Sequence, residues 1–181
     1  MIDNLDWNIL VTAHEGRSRD VRAELARLVR LRRTRFRNVL VGRVDDFETF
    51  AATVEAERQR KLFLDQSLAR ILPIEHTFRV DVEGLVDALA SAAVPLVDRL
   101  RGRSFHVRVE RRGHKGTIDS HVVEHDLGKR LIAMLEARGE TPVVAFDDAD
   151  VVVIVELVGN VGGIALVTRE LRQRYPFVRI D

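Results

Sequence analysis

The stretch SFHVRVERRGHKGTIDSHVVEHDLGKRLIAMLEARGETPVVAFDDADVVVIVELVGNVGGIALVT, residues 104–168, decides the fold. Its first residues alternate: Phe105, Val107 and Val109 point to one face and His106, Arg108 and Glu110 to the other, the period of a half-buried strand. Arg111 and Arg112 fall past this alternation and lead into a turn of Gly113, His114, Lys115 and Gly116. The period then lengthens to that of a helix, with Val122, Val123, Leu127, Leu131 and Leu135 on its buried side, Asp119 or Ser120 as cap and Gly139 as stop. TPVVAF (141–146), ADVVVIVELVG (149–159) and VGGIALVT (161–168) predict three further strands, and GNVGG (159–163) reads as a hairpin turn rather than a phosphate loop.

Outward from this block, RELRQRYPFVRID (169–181) predicts a short helix and a strand, and DVEGLVDALASAAVPLVDRLRG (81–102) predicts a long helix kinked at Pro95 and stopped at Gly102. In SLARILPIEHTFRVD (67–81) the apolar run breaks at Pro73, and Thr77, Phe78 and Val80 predict a strand. The N-terminal part gives a β-α-β-α order. WNILVTA (7–13) and FRNVLVGRV (36–44) are the strands; RDVRAELARLVR (19–30) buries Val21, Leu25, Leu28 and Val29, and a helix capped by Asp46 buries Phe47, Phe50, Ala51 and Val54. The expected class is α+β, in two domains at 1–74 and 75–181.

With 181 residues and 46% apolar content the chain can bury a core, and the absence of cysteine excludes disulfides, thiolate metal sites and cysteine nucleophiles. No export signal or membrane span is visible, so a cytoplasmic protein is expected. The net charge of +1 conceals two basic clusters. One, in residues 17–43, holds Arg17, Arg19, Arg22, Arg27, Arg30, Arg32, Arg33, Arg35, Arg37 and Arg43 against only Asp20 and Glu24; the other runs from Arg99 to Lys115. Acids gather at Asp147, Asp148 and Asp150. Such surfaces suit a polyanion.

HVVEH (121–125) matches the H-x-x-E-H pattern of inverted zinc peptidases, and on a helix His121, Glu124 and His125 share a face. A peptidase also needs a third ligand, an open coordination position and a cleft, for which two small domains leave little chain. An amphipathic helix accounts for the same residues, so surface histidines are expected and a zinc peptidase is the remote alternative.

Over residues 104–168 the sequence resembles the THUMP domain, an RNA-binding module of tRNA-modification proteins. VRVERRG leads to a helix containing LGKRL, DDADVVVIVEL is similar to the family's acidic turn into a buried strand, and GGIALVT resembles the closing strand. SLARILPIEHTFRVD, above all Arg70-Ile71-Leu72-Pro73, looks like the segment that joins an N-terminal ferredoxin-like domain to THUMP. The resemblance implies a ferredoxin-like domain at 1–74, then a THUMP domain at 75–181 with a mixed sheet flanked by helices. This order resembles stand-alone tRNA-binding adaptors of tRNA cytidine acetylation, whereas most other THUMP proteins carry a catalytic domain after it. The chain ends at Asp181 and contains neither G-x-G-x-x-G after a strand nor G-x-x-x-x-G-K-[ST]. Binding without catalysis is therefore expected: an adaptor with no cofactor that takes the tRNA acceptor region and presents it to a separate modification enzyme.

Arg108, Arg111, Arg112 and Lys115 are the expected phosphate ligands, with His114 beside them and Gly113 and Gly116 letting backbone N–H groups approach the anion. Lys129 and Arg130 stand one turn into the DLGKRLI helix, where Gly128 leaves room for close approach of another backbone or of RNA. Arg19, Arg22, Arg30 and Arg33 can extend the footprint. Aromatic residues are only 6% of the chain, which favours phosphate and shape recognition over base stacking. The competing readings are a solvated edge whose arginines pair with Glu110 or helix acids, and a protein–protein interaction module that never meets RNA.

Overall fold

The β-branched run before His14 forms the first strand, and the elements follow in the order β1 (Ile9–Ala13), α1 (Ser18–Glu24), β2 (Arg32–Arg33), β3 (Val39–Gly42), α2 (Phe47–Arg60), α3 (Leu62–Ser67) and β4 (Leu68–Pro73). The computed structural model describes residues 5–60 and 62–180. β1 pairs antiparallel with β3 on one side and β4 on the other, and β2 pairs with β3, giving the order β2-β3-β1-β4. A β-α-β-β-α-β chain with its first strand central is the ferredoxin-like arrangement. Ile9, Leu10 and Val11 of β1 are buried, as are Val21, Leu25, Phe50, Ala51 and Val54 from the helical segments. Each buried leucine- or isoleucine-sized side chain contributes about 1.5–3 kcal/mol, which makes this apolar stripe the main reason the short α1 is helical at all. Asp46 caps α2 as expected, its Oδ1 accepting from Thr49 N at 2.7 Å.

The chain continues through β5 (His76–Arg79), α4 (Leu85–Ala93), a 3₁₀ stretch (Val94–Leu100), β6 (Ser104–Arg112), α5 (Ser120–Glu136), β7 (Val143–Val144), β8 (Val151–Val158), β9 (Val161–Thr168) and α6 (Arg169–Arg174). Here the sheet order is β5-β9-β8-β6-β7, with β6 parallel to β7 and β8 and the remaining pairs antiparallel, so the sheet is mixed. α5 is the crossover between the parallel strands β6 and β8, as a parallel pair requires. It buries Val123, Leu127, Leu131 and Leu135 in one cluster with Phe105, Val107 and Val109 of β6 and Val151, Val153 and Val155 of β8. The GNVGG turn is a two-residue hairpin, with Gly159 at φ 65° and Val158 paired to Val161. Phe78 stands opposite Gly162 in the β5–β9 pair, and a Cβ at Gly162 would lie 2.3 Å from its ring.

The chain forms two compact units, one from the described residues up to Ile74 together with those from Glu170 onward, the other Glu75–Arg169. The stretch 170–180 thus belongs with the first unit and not, as 75–181 expected, with the second. Its buried side chains are Tyr175, Phe177 and Val178, and Phe177 O accepts from Ile71 N of β4 at 2.9 Å. Among the described residues no strand forms after α6.

Other departures have local causes. α1 ends at Glu24, and turns carry the chain on so that Val29 stays buried while Leu28 is exposed. Pro95, which lacks the N–H that an α-helix needs, ends α4 and starts the 3₁₀ stretch in place of a kink. The i, i+4 row of α5 begins at Val123, leaving Val122 exposed. No helix of the described residues is long and apolar enough to cross a membrane.

Candidate nucleic-acid interface

Strand alternation places the predicted cations more sharply than the sequence could. β6 stays regular to Arg112, opposite Val158, so Arg111 and Arg112 do not lie past the alternation. Arg112 shares the face of Arg108 and Glu110, and Arg111 starts on the apolar face that α5 covers.

These neighbours have different chemistry. Arg112 is closed onto the buried carboxylate of Glu156 on β8, with Glu110 Oε1 3.6 Å from its NH2, and its side chain is only 12% exposed. It is a structural ion pair. Arg111 donates from NH1 to Gly113 O at 3.0 Å, while its Nε is buried without a hydrogen-bond partner among the described residues. Arg108 is the open member: its side chain is 41% exposed and its guanidinium lies 3.9 Å from Glu124.

The turn after β6 is held by its backbone geometry and by hydrogen bonds to the neighbouring hairpin. Gly113 has φ 101° and Gly116 φ 81°, conformations that favour glycine, and His114 adopts φ 51°. The His114 ring lies with Nε2 2.9 Å from Gly159 O, and Gly159 N donates to Arg112 O at 2.8 Å, which ties the turn to the β8–β9 hairpin. His114 is thereby occupied, and Lys115 is exposed. On α5, Lys129 and Arg130 are exposed, Arg130 paired to Asp87 at 2.7 Å with both side chains more than half exposed. Gly128 faces the sheet, where an added Cβ would meet the Val107 side chain at an ordinary contact distance of 4.0 Å, so this position is turned to the sheet and not to RNA. The structure therefore brings Arg108, Arg111, Arg112, Gly113, His114 and Lys115 together along one strand and its turn, and sets Lys129 and Arg130 apart on the helix.

Glu124, central to the HVVEH pattern, has a backbone task. Its Oε1 accepts from Val109 N at 2.8 Å, capping β6 beyond the point where the short β7 stops pairing, and its Oε2 lies 3.2 Å from His121 Nδ1. His125 Nδ1 lies 3.2 Å from Asp126, and among the described residues no group of three His, Asp or Glu is placed to hold a metal ion.

The acidic turn is also internally bound. Asp150 Oδ2 accepts from Ser104 N at 2.8 Å and from its hydroxyl at 2.7 Å, and Arg169 reaches Asp150 at 2.6 Å and Asp148 at 2.9 Å. The Ser104 N–H, then its hydroxyl, then the Arg169 charge hold the Asp150 carboxyl below its ordinary value.

Sequence reasoning singled out Arg33 in the first unit and passed over Arg35, Phe36 and Arg37 as possible contacts. All line one cleft of about 440 Å³ at the β2–β3 turn. Their only signal was arginine at every second position.

Residues 81–167 match the family model of the THUMP domain. No curated protein matches the sequence. Among solved structures, TrmN from Thermus thermophilus is 20% identical with a TM-score of 0.63, over 87% of this chain and 44% of that one. PH1313 from Pyrococcus horikoshii Ot3 is 14% identical with a TM-score of 0.55, over 88% of this chain and 54% of that one. A 4-thiouridine synthetase, solved as an RNA complex with bound ATP, is 13% identical with a TM-score of 0.56, over 91% of this chain and 41% of that one. The chain thus spans about half or less of the length of these proteins, with which it shares the fold. This corrects the expectation of binding without catalysis: the same fold occurs as part of an enzyme, so a sequence ending at Asp181 gives no ground for a non-catalytic role. Residues 81–167, between the first unit and the segment that returns to it, are thus the part of the chain that is similar to the THUMP domain.

Proposed function

We propose that this chain binds tRNA and holds it for a nucleotide-modifying reaction in the cytoplasm. The THUMP match over residues 81–167 carries the reading. It is supported by the fold shared with a 4-thiouridine synthetase that was solved bound to RNA.

In the second unit the contacts fall to the cations whose head groups reach solvent: Arg108, Lys115, Lys129 and Arg130. Arg111 and Arg112 serve as braces, one for the turn and one for the sheet, so that Lys115 is presented on a fixed loop. Contacts of this kind read phosphate position and helical shape, not base identity. The acceptor region, with a duplex stem beside an unpaired end, is the target this reading favours.

The test is binding to total tRNA and to an unstructured RNA of equal length at two salt concentrations. Tighter binding to tRNA that persists at the higher salt is the expected result. Equal affinity for both RNAs, lost together as salt rises, would overturn the reading and leave a generic polyanion surface.

A further inference from the structure

We propose that the cleft at the β2–β3 turn of the first unit is a second RNA contact, which holds a backbone phosphate of the bound tRNA between Arg33, Arg35 and Arg37. The proposal rests on the tRNA-binding reading and adds to it a site in the other unit.

The turn gathers its arginines around one cleft. Arg33, Arg35 and Arg37 are exposed, while Thr34, Phe36 and Asn38 between them are partly buried, and all three arginines line the one cleft. The Thr34 hydroxyl locks this arrangement, accepting from Phe36 N at 3.0 Å and donating to Val39 O at 3.0 Å. Asn38 takes φ 61°, and its O accepts from Ala13 N of β1 at 2.9 Å, anchoring the turn to the centre of the sheet. The Arg35 guanidinium lies 5.0 Å above the Phe36 ring, which holds it in place at little entropic cost.

The charges on this turn are unbalanced. Among the described residues Arg33, Arg35 and Arg37 make no ion pair, unlike Arg17, Arg43 and Arg58 of the same unit, which pair with Asp20, Asp6 and Glu55. Glu15 is the single acid in the lining, beside Gly16 and Ser18. Three guanidinium groups lining one cleft favour an anion there, and their forked N–H donors suit the oxygens of a phosphate. The cleft, at about 440 Å³, has room for a phosphate with its flanking sugars.

The experiment measures tRNA affinity and its salt slope for the wild-type chain, for Arg35→Gln/Arg37→Gln, for Phe36→Leu and for Lys115→Glu/Lys129→Glu. The arginine double variant is expected to melt with the wild type, to bind tRNA at least tenfold more weakly at low salt, and to show a slope of log K against log salt shallower by about 0.8, at roughly 0.7–0.9 per phosphate contact. Phe36→Leu keeps all three charges, and is expected to weaken binding severalfold with the slope unchanged, the mark of a positioning residue. If the arginine variant binds as the wild type does while the lysine variant is weakened, the cleft is not an RNA contact and the tRNA reading stands. If wild-type protein does not prefer tRNA over unstructured RNA, that reading fails and this proposal falls with it. Thermal stabilisation by inorganic phosphate that the arginine variant loses, with its tRNA affinity unchanged, would make the cleft a free-anion site and overturn the proposal.

Discussion

In the second unit Arg112 is closed onto Glu156, whereas in the first unit Arg33, Arg35 and Arg37 line a cleft with one acid among its walls. Both regions read as basic clusters in the sequence. The difference teaches that density of arginine does not identify a binding surface, because a guanidinium satisfied by a buried carboxylate has already spent its hydrogen bonds on the fold. The cations left over carry information about a ligand.

The sharpest way to break this comparison is Arg112→Ala. It takes the guanidinium away from the carboxylate of Glu156, 2% exposed, on the inner strand β8, and a loss on the order of 3 kcal/mol of unfolding free energy is expected in urea titration. A loss below about 1 kcal/mol would put Arg112 back among the free cations. Asp119→Ala removes the side chain that accepts from His121 N and Val122 N at the start of α5, and should cost about 1 kcal/mol by the same measurement. Acid sensitivity gives a third handle. The Asp150 carboxyl is held below its ordinary value, so its contribution is fully present above about pH 3.9 and is lost as pH falls through the lowered value of the folded state. Asp150→Asn should accordingly be less stable than wild type at pH 6, with the gap in melting temperature closing below pH 4. The smallest effects belong to exposed cations: Arg130→Gln, which breaks a solvated pair, and Arg35→Gln/Arg37→Gln should each change stability by no more than about 0.5 kcal/mol in the same titration. A cost above 1 kcal/mol for the double variant would mean that the turn arginines brace the fold as Arg112 does.

The elements with long periodic patterns were legible in the sequence. β6, α5, β8 and β9 follow from alternation or from the i, i+4 row, and Asp46 and Asp119 both cap the helices they precede. β2 was missed because two arginines carry no apolar alternation, and it exists through pairing with β3. The site was read less well for a physical reason. Whether an arginine is free depends on partners distant in sequence, as with Arg112 and Glu156, 44 residues apart, and no local pattern records that distance. Arg108 and Lys115 could be nominated from spacing, but the role of Arg112 could not.

The path of the chain has a consequence for how the protein is made. Tyr175, Phe177 and Val178 are buried in the first unit, although the whole of Glu75–Arg169 separates them from its last strand. During synthesis, the unit that begins second has all of its residues first. It can close as soon as Arg169 has cleared the ribosome, while the ferredoxin-like unit, begun earlier, waits with its place for Phe177 unfilled.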